Sequence, residues 1–213
     1  MNMKVVILAA LSASALIACG NKTDANEKNF GTAMNKLFDE KGHLCLVNRE
    51  MPVDVDMSYK LYMDNLPAVM SVLEGEGLVE GVDAEVKDTF GKMRKVRRFT
   101  YSDKAKPYVQ QKKDRQGGTY EALCWSKLGL DKIVKWEGPM ALGDYKVAAV
   151  TYTYKLVDMA EWAKRPEVQA VVPNIKKNLE GAGSKEITTR VGLSSLGWEA
   201  DDLDVNSFIN PFF

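Results

Sequence analysis

Apolar residues at helical spacing mark two segments in the first half of the chain. The first pattern predicts a helix over 30–41 that ends at Gly42, and its apolar members are Phe30, Ala33, Met34, Leu37 and Phe38. The second pattern predicts a helix that ends in the stretch 74–77, and its apolar members are Leu66, Val69, Met70 and Leu73. Between them, the short apolar run 44–47 is compatible with a strand or with the start of another buried segment, and Pro52 prevents it from continuing.

Strand patterns dominate the second half. The segment Tyr145–Val157 is rich in Val, Thr and Tyr in alternation, which is the strongest strand signal in the chain. Residues 187–196 and the region around Trp198 predict further strands, and Gly138-Pro139 predicts a turn.

One helix with a break is expected among these strands. Asp158 is well placed to cap a helix that carries Trp162, and Pro166 is placed to restart it. Pro173 bends or breaks the part of the helix that follows it. We therefore predict an α+β fold class, with an antiparallel sheet and one interrupted helix over residues 116–213.

The first 18 residues have the parts of an export signal. Lys4 precedes an apolar run over 5–11, and small residues follow over 12–15. The 14 residues from Val5 to Ala18 are too few for an uncleaved membrane helix, which needs about 20. Leu16-Ile17-Ala18-Cys19 resembles the lipobox of bacterial lipoproteins. This resemblance implies cleavage before Cys19 and acylation, including palmitate, of that residue.

The same resemblance implies a location. In the family's sorting rule an Asp directly after the cysteine retains the protein in the inner membrane, and Gly20 takes that place here. We therefore expect a lipid-anchored protein on the outer membrane, facing the periplasm. Residues 19–29 offer no apolar face, so we predict a flexible tether that reaches roughly 15–20 Å.

Two further resemblances concern the folded part. The run LPAVMSVLEGEGLV over 66–79, followed by MRKVRRFTYSDKAKPYV over 93–109, is similar to winged-helix domains, in which a helix leads into a two-stranded wing and a last strand. This partial pattern covers 64–110 and implies a winged-helix-like domain over 30–115. The chain is also similar to a group of proteobacterial lipoproteins with an HLCL segment, here 43–46, a resemblance that implies no particular activity.

Charge is balanced overall and segregated along the chain. The sequence has 29 basic and 29 acidic residues. The segment from Lys92 to Arg115 contains ten basic residues and two acidic ones. We identify a basic patch on the wing, formed by Lys92, Arg94, Lys95, Arg97 and Arg98. It is either a solvated face that pairs with the acidic residues of 74–88, or a surface for an envelope protein, a lipid headgroup or an anionic glycan. Export excludes nucleic acid as a partner.

Two cysteines remain once Cys19 is acylated. Cys45 and Cys124 would meet a compartment that oxidises thiols, so we predict a disulfide between them, with two buried free thiols as the alternative. Closing a loop of this length would contribute roughly 4.5 kcal/mol in the chain-entropy model. Neither residue has metal-ligand spacing, so we expect no metal and no cofactor.

Candidate chemistry is sparse. His43 is the only histidine, and its apolar neighbours favour a packed or surface residue over a catalytic one. Asp201 and Asp202, with Asp204 nearby, form either a solvated acidic loop or the carboxylates of a hydrolase. Trp125, Tyr152 and Tyr154 either line a ligand groove or belong to the core, as aromatic residues on strands more often do.

These observations favour a non-enzymatic binding or assembly protein of the cell envelope, acting through protein contacts of the basic wing. The alternative is an envelope lipoprotein that binds a glycan or lipid on the aromatic C-terminal sheet. A hydrolase that uses Asp201 or Asp202 is the third hypothesis.

Overall fold

The computed structural model describes residues 21–48, 50–58, 65–113, 117–143, 145–200 and 203. The fold is α+β, with a curled antiparallel half-barrel sheet and a small three-stranded sheet. In chain order the elements are α1 Glu27–Lys41, β1 His43–Asn48, β2 Val53–Val55, α2 Leu66–Gly75, β3 Val79–Lys87, β4 Met93–Tyr101, a 3₁₀ helix Asp103–Tyr108, β5 Val109–Lys113, β6 Thr119–Leu142, β7 Tyr145–Val157, a 3₁₀ helix Glu161–Lys164, α3 Pro166–Val171, α4 Pro173–Gly181, β8 Ile187–Ser194 and β9 Gly197–Ala200.

The larger sheet has the strand order β1-β6-β7-β8-β9, and β5 also pairs with β6. All of these pairings are antiparallel. Strands from both sides of residue 115, the predicted domain boundary, therefore share one sheet. The register of β6 against β7 shifts at three places, between Leu130 and Lys132, Ile133 and Lys135, and Glu137 and Met140. Such bulges bend a strand and increase its twist, which suits a curled sheet.

The bulge at 137–140 corrects one sequence prediction. Gly138-Pro139 does not form the hairpin turn, because both residues lie inside β6, and the chain turns instead between Leu142 and Tyr145. Gly138 has a φ of +99° and a Cβ there would lie 3.0 Å from the carbonyl oxygen of Val147. Glycine is therefore required at this bulge by both conformation and space.

Helix α1 packs against the larger sheet, and its buried residues are the five that the sequence predicts. The ring of Phe30 contacts those of Trp136 and Trp198 at 5.5 and 5.0 Å, and the ring of Phe38 contacts that of Tyr152 at 5.6 Å. These contacts place the helix over β6, β7 and β9 and make it part of the main core.

The helix starts earlier than predicted, which shortens the predicted tether of 19–29. The side chain of Asn26 accepts a hydrogen bond from the backbone N–H of Asn29, so the helix begins at Glu27. The indole N–H of Trp198 donates to the carbonyl of Asp24 at 3.0 Å. Residues 21–26 therefore lie against the sheet rather than forming a free coil.

The smaller sheet has the order β2-β4-β3, and α2 packs on it. The four apolar residues predicted for α2 are buried, together with Leu78, Val79 and Phe99. Ser102 fixes the end of β4, because its N–H donates to the carbonyl of Leu78 and its hydroxyl donates to that of Gly77. The helix and the small sheet thus form one packed unit.

The helix of the second half is interrupted as predicted, although its start differs. Asp158 does not cap it, since Asp158 has a φ of +52° and Trp162 lies in the 3₁₀ helix that begins at Glu161. Helices α3 and α4 follow, each with a proline in its first turn, and the break falls at Val172. The predicted strands of this half are present as β7, β8 and β9.

The predicted disulfide is present. Cys45 on β1 and Cys124 on β6 are directly opposite in the register and are bonded, which closes a separation of 79 residues. The bond fastens the edge strand β1 to the long strand β6 near the end of α1.

We expect reduction of this disulfide to lower the free energy of unfolding by about 2–4 kcal/mol, because the bond limits the freedom of the unfolded chain. Denaturant unfolding with and without reductant measures this difference. A Cys45→Ala, Cys124→Ala chain is the matched control and should show no effect of reductant. Equal midpoints for the oxidised and reduced native chain would contradict the prediction.

Candidate functional site

The predicted basic patch lies on the hairpin of β3 and β4, residues 79–101, here called the charged hairpin. Its register runs without a shift from Val79 opposite Tyr101 to Lys87 opposite Met93. Residues directly opposite each other share a face, so Arg97 lies beside Asp83 on one face, and Arg98 lies beside Val82 on the other. Both faces therefore combine arginines with acidic or apolar neighbours.

Arg97 joins the hairpin to α2. Its Nη2 lies 2.6 Å from Glu74 Oε1, and its Nη1 lies 3.2 Å from Asp83 Oδ1. Glu74 Oε1 also accepts the backbone N–H of Gly81 at 3.1 Å. These hydrogen bonds, with that of Arg97 first, lower the pKa of the Glu74 carboxyl and keep it ionised. Arg97 is thus committed to holding helix and hairpin together.

The other two arginines are also paired. Arg98 makes a bidentate contact with Asp54 of β2, at 2.6 and 2.7 Å. Arg94 Nε lies 2.9 Å from Asp88 Oδ2, and Asp88 in turn accepts the backbone N–H groups of Phe90 and Lys92. Arg94 therefore helps to build the turn of the hairpin.

The predicted patch is consequently much less positive than the sequence suggests. Its three arginines pair with acidic residues, as one of the two interpretations of the sequence holds, and Asp54 adds a partner from outside 74–88. Within the part of the chain that the structure describes, Lys92 and Lys95 have no ion pair. Lys87 is the third lysine of the hairpin, and Glu80 and Glu85 offset part of the charge of the three, so the remaining excess of positive charge is small.

Apolar side chains are exposed on the same hairpin. Phe90 is 91% exposed at the turn, Val82 on β3 is 61% exposed and Met93 on β4 is 49% exposed. Sequence analysis did not identify Phe90. An aromatic residue followed by Gly91, in a turn between two strands, could have indicated an exposed ring at the tip of a hairpin. Several large apolar side chains exposed on one hairpin, with Phe90 at its tip, suit a contact surface.

A cavity of about 650 Å³ lies beside the hairpin, and sequence analysis did not predict it. Asp83, Glu85, Lys95 and Arg97 line it from the hairpin, and Met57 lines it from the segment after β2. Its volume is in the range of small-molecule sites, and its lining of acidic and basic side chains suits charged groups of either sign.

The three aromatic residues of the predicted groove are in the core instead. Trp125 is 3% exposed, and Tyr152 and Tyr154 are fully buried. The hydroxyl of Tyr154 donates to the carbonyl of Asn178 at 2.8 Å, which links β7 to α4. These residues therefore form core and not a surface groove: Tyr152 packs against Phe38 of α1, and Tyr154 is bonded to α4.

His43 lies on β1 opposite Lys127, near Ser126 and Asp158. Its Nδ1 is 3.1 Å from the amide nitrogen of Gln110, so this ring nitrogen accepts the bond. The Ser126 hydroxyl donates a hydrogen bond to the carbonyl of Val157, so this hydroxyl is not oriented toward His43 as a nucleophile would be. The arrangement is that of a packed histidine. Asp201 and Asp202, the residues of the hydrolase hypothesis, lie outside the described residues, as do Cys19 and Asp204.

We expect a charge swap to show whether the ion pair between Arg97 and Glu74 stabilises the fold. Arg97→Glu should lower the denaturation midpoint, because it places a carboxylate against Glu74 and Asp83. Adding Glu74→Arg should recover part of the loss by restoring the pair with opposite polarity. A midpoint that is the same for native, single and double variants would show that the pair is not structural.

Burial lowers the pKa of His43 below its usual 6.5, and the charges of Lys112 and Lys127 lower it further. The folded state then binds fewer protons than the unfolded one, so this contribution to stability is complete above pH 6.5 and is lost as the pH falls toward the folded pKa. The ring resonances of the single histidine should titrate below 6.5 in NMR spectra. Lys112→Gln should raise the midpoint, and the distant Lys177→Gln should not. A native midpoint above 6.5 would refute this.

Comparison of the chain with protein-family models, with curated proteins and with solved structures gives no match. Among the helices of the described residues, none combines the length and apolar character needed to cross a membrane. Over the same residues, no group of three or more His, Cys, Asp and Glu side chains is placed to hold a metal ion. The geometry of the charged hairpin is therefore the basis for a functional proposal.

Proposed function

We propose that this chain is a lipid-anchored protein of the cell envelope with a non-enzymatic binding or assembly role, and that the charged hairpin contacts its protein partner. The observation that carries the proposal is the tip of the hairpin, where Phe90 is 91% exposed. At that exposure the ring has little contact with the described residues, and contact with another molecule would bury it.

The composition of the hairpin supports a protein partner. Aromatic residues, Met and Arg are enriched in protein interfaces, and the hairpin carries Phe90 at its turn, Met93 and Arg94 at the start of β4, and Arg98 farther along the same strand. Its arginines are already neutralised by the acidic residues of the same unit. Affinity would therefore come from apolar contact at the tip, and the paired charges around it would give specificity at the rim.

The order of elements supports a winged-helix-like module as the finer description of this unit. Helix α2 precedes the two strands of the charged hairpin, and β2 adds a third strand to them. Such modules often bind DNA, but the arginines that would contact phosphates are occupied here, and an exported protein meets no chromosome. The module is more suited to presenting a hairpin to a protein.

Two observations support the envelope location. The Leu16–Cys19 lipobox pattern follows an apolar export segment. The disulfide Cys45–Cys124 suits a compartment that oxidises thiols. Acylation of Cys19 is a proposal that intact mass measurement of the mature protein would test directly, and membrane fractionation would test the outer-membrane location.

The test is photo-crosslinking in cells with p-benzoylphenylalanine at position 90. We expect a discrete protein adduct that mass spectrometry identifies, because the probe replaces an aromatic ring at the centre of the proposed contact. The same probe at Lys177, an exposed position on α4, is the matched control and should give no such adduct. Val82→Glu, on the hairpin but away from the tip, should reduce the yield at position 90.

Equal adducts from positions 90 and 177, or no adduct at position 90 in protein that retains its disulfide, would overturn the hairpin as the contact surface. Retention of the disulfide is the check that the probe has not unfolded the protein.

A further inference from the structure

A second group of exposed apolar side chains lies at one end of the larger sheet. Met140 and Leu142 at the end of β6 are 58% and 61% exposed, and Tyr145 at the start of β7 is 71% exposed. Leu196, in the turn between β8 and β9, is 76% exposed. These four residues, here called the apolar end, are among the most exposed large apolar groups of the described chain.

The sheet register places the four residues together. Leu142 is directly opposite Tyr145. The next pair along, Lys146 opposite Leu193, puts the β8–β9 turn beside the start of β7. Neighbouring strands are about 4.8 Å apart, so the apolar end extends over roughly 15 Å, from β6 to β9.

The start of the described chain lies at the same end. A Cβ on Gly197, the residue after Leu196, would be 3.3 Å from the carbonyl oxygen of Lys22. The indole of Trp198 holds the carbonyl of Asp24 at 3.0 Å, so the position of this segment is fixed by the sheet. Cys19 precedes Lys22 by three residues, which span at most about 11 Å when fully extended.

We infer that the apolar end is a membrane-docking surface, and that Leu142, Tyr145 and Leu196 enter the interface of the bilayer that holds the acyl chains of Cys19. The inference rests on the proposed lipid anchor. An acylated Cys19 would bring the bilayer within about 11 Å of the β8–β9 turn. Among the surfaces that could cover the apolar end, we choose the bilayer, because the segment between Cys19 and Lys22 would keep the bilayer close to the apolar end at all times.

The chemistry of the four side chains suits this occupant. Tyrosine is enriched at the level of lipid headgroups, where its ring is buried and its hydroxyl remains hydrated. The aliphatic side chains of Met140, Leu142 and Leu196 gain burial from the acyl region below. Lys22 and Lys146 are exposed beside them and suit anionic headgroups.

Docking at this end would orient the whole molecule. Strand β5, which follows the charged hairpin in the chain, pairs with β6 at Leu123, and the apolar end lies 19 residues farther along the same strand. That separation is about 60 Å along the strand's contour, less across the curled sheet. The base of the charged hairpin is therefore held away from the membrane, on the side where a partner in the periplasm can reach it.

The experiment uses the full acylated chain purified from membranes and reconstituted into vesicles of phosphatidylethanolamine and phosphatidylglycerol. p-Benzoylphenylalanine is placed at Leu142, Tyr145 or Leu196, and at Phe90 as the matched control. Phe90 is a stringent control because it is more exposed than any of the three and is also aromatic. After irradiation, mass spectrometry measures the lipid adducts at each position.

We expect several-fold more lipid adduct at the three positions of the apolar end than at Phe90. Equal yields at all four positions, or a protein adduct at Tyr145 that joins it to a second copy, would overturn membrane docking. An intact mass with unmodified Cys19 would also overturn it, together with the lipid anchor. Both proposals depend on acylation of Cys19. The lipid-adduct yields do not depend on whether Phe90 captures a protein in cells, so a failure of membrane docking and a failure of the hairpin contact are distinguishable.

Discussion

The long strand β6 is the element on which the rest of the structure depends. It pairs with β1 and β5 near its start and with β7 over most of its length. It therefore joins its two neighbours in the chain to β1, which is distant in sequence. A strand of 24 residues would remain an extended ribbon if its register were regular. The three register shifts against β7 bend it. The bend lets α1 lie against the sheet, with Phe30 and Phe38 on aromatic partners from three strands.

Local pattern predicted the helices well and the sheet only in part. The apolar spacing of α1 and α2 comes from burial of one helical face, so the same residues that show the period form the core. The start of α1 was missed by three residues because the decisive group is the cap Asn26, which is polar and carries no period. Strand β7 was recognised from its alternation, and the break between α3 and α4 from Pro173.

The features that the sequence did not predict depend on contacts between different segments of the chain. Gly138-Pro139 has turn composition, and only the register against β7 determines that it is a bulge. The sequence favours a core position for Tyr152 and Tyr154 over a groove, but only the contacts with the helices decide between them. The basic patch illustrates the same limit for charge: Arg98 and Asp54 are 44 residues apart in the chain, yet they face each other across two strands. Counting charges along a segment cannot show such neutralisation.

Exposed apolar side chains are concentrated at two places in the described structure, and strand β6 lies between these two places. Most large apolar side chains of the described residues are buried. Seven of the ten exposed ones lie on the charged hairpin or at the apolar end, and the other three are Met57, Val134 and Trp136. One strand, β6, runs from the region that adjoins the hairpin unit to the apolar end itself. Because a paired and bulged strand is stiff over this distance, contact at one end fixes the direction in which the other points. An anchor beside Lys22 and a contact tip at Phe90 would then make the sheet a spacer, whose length decides how far from the membrane a partner is met.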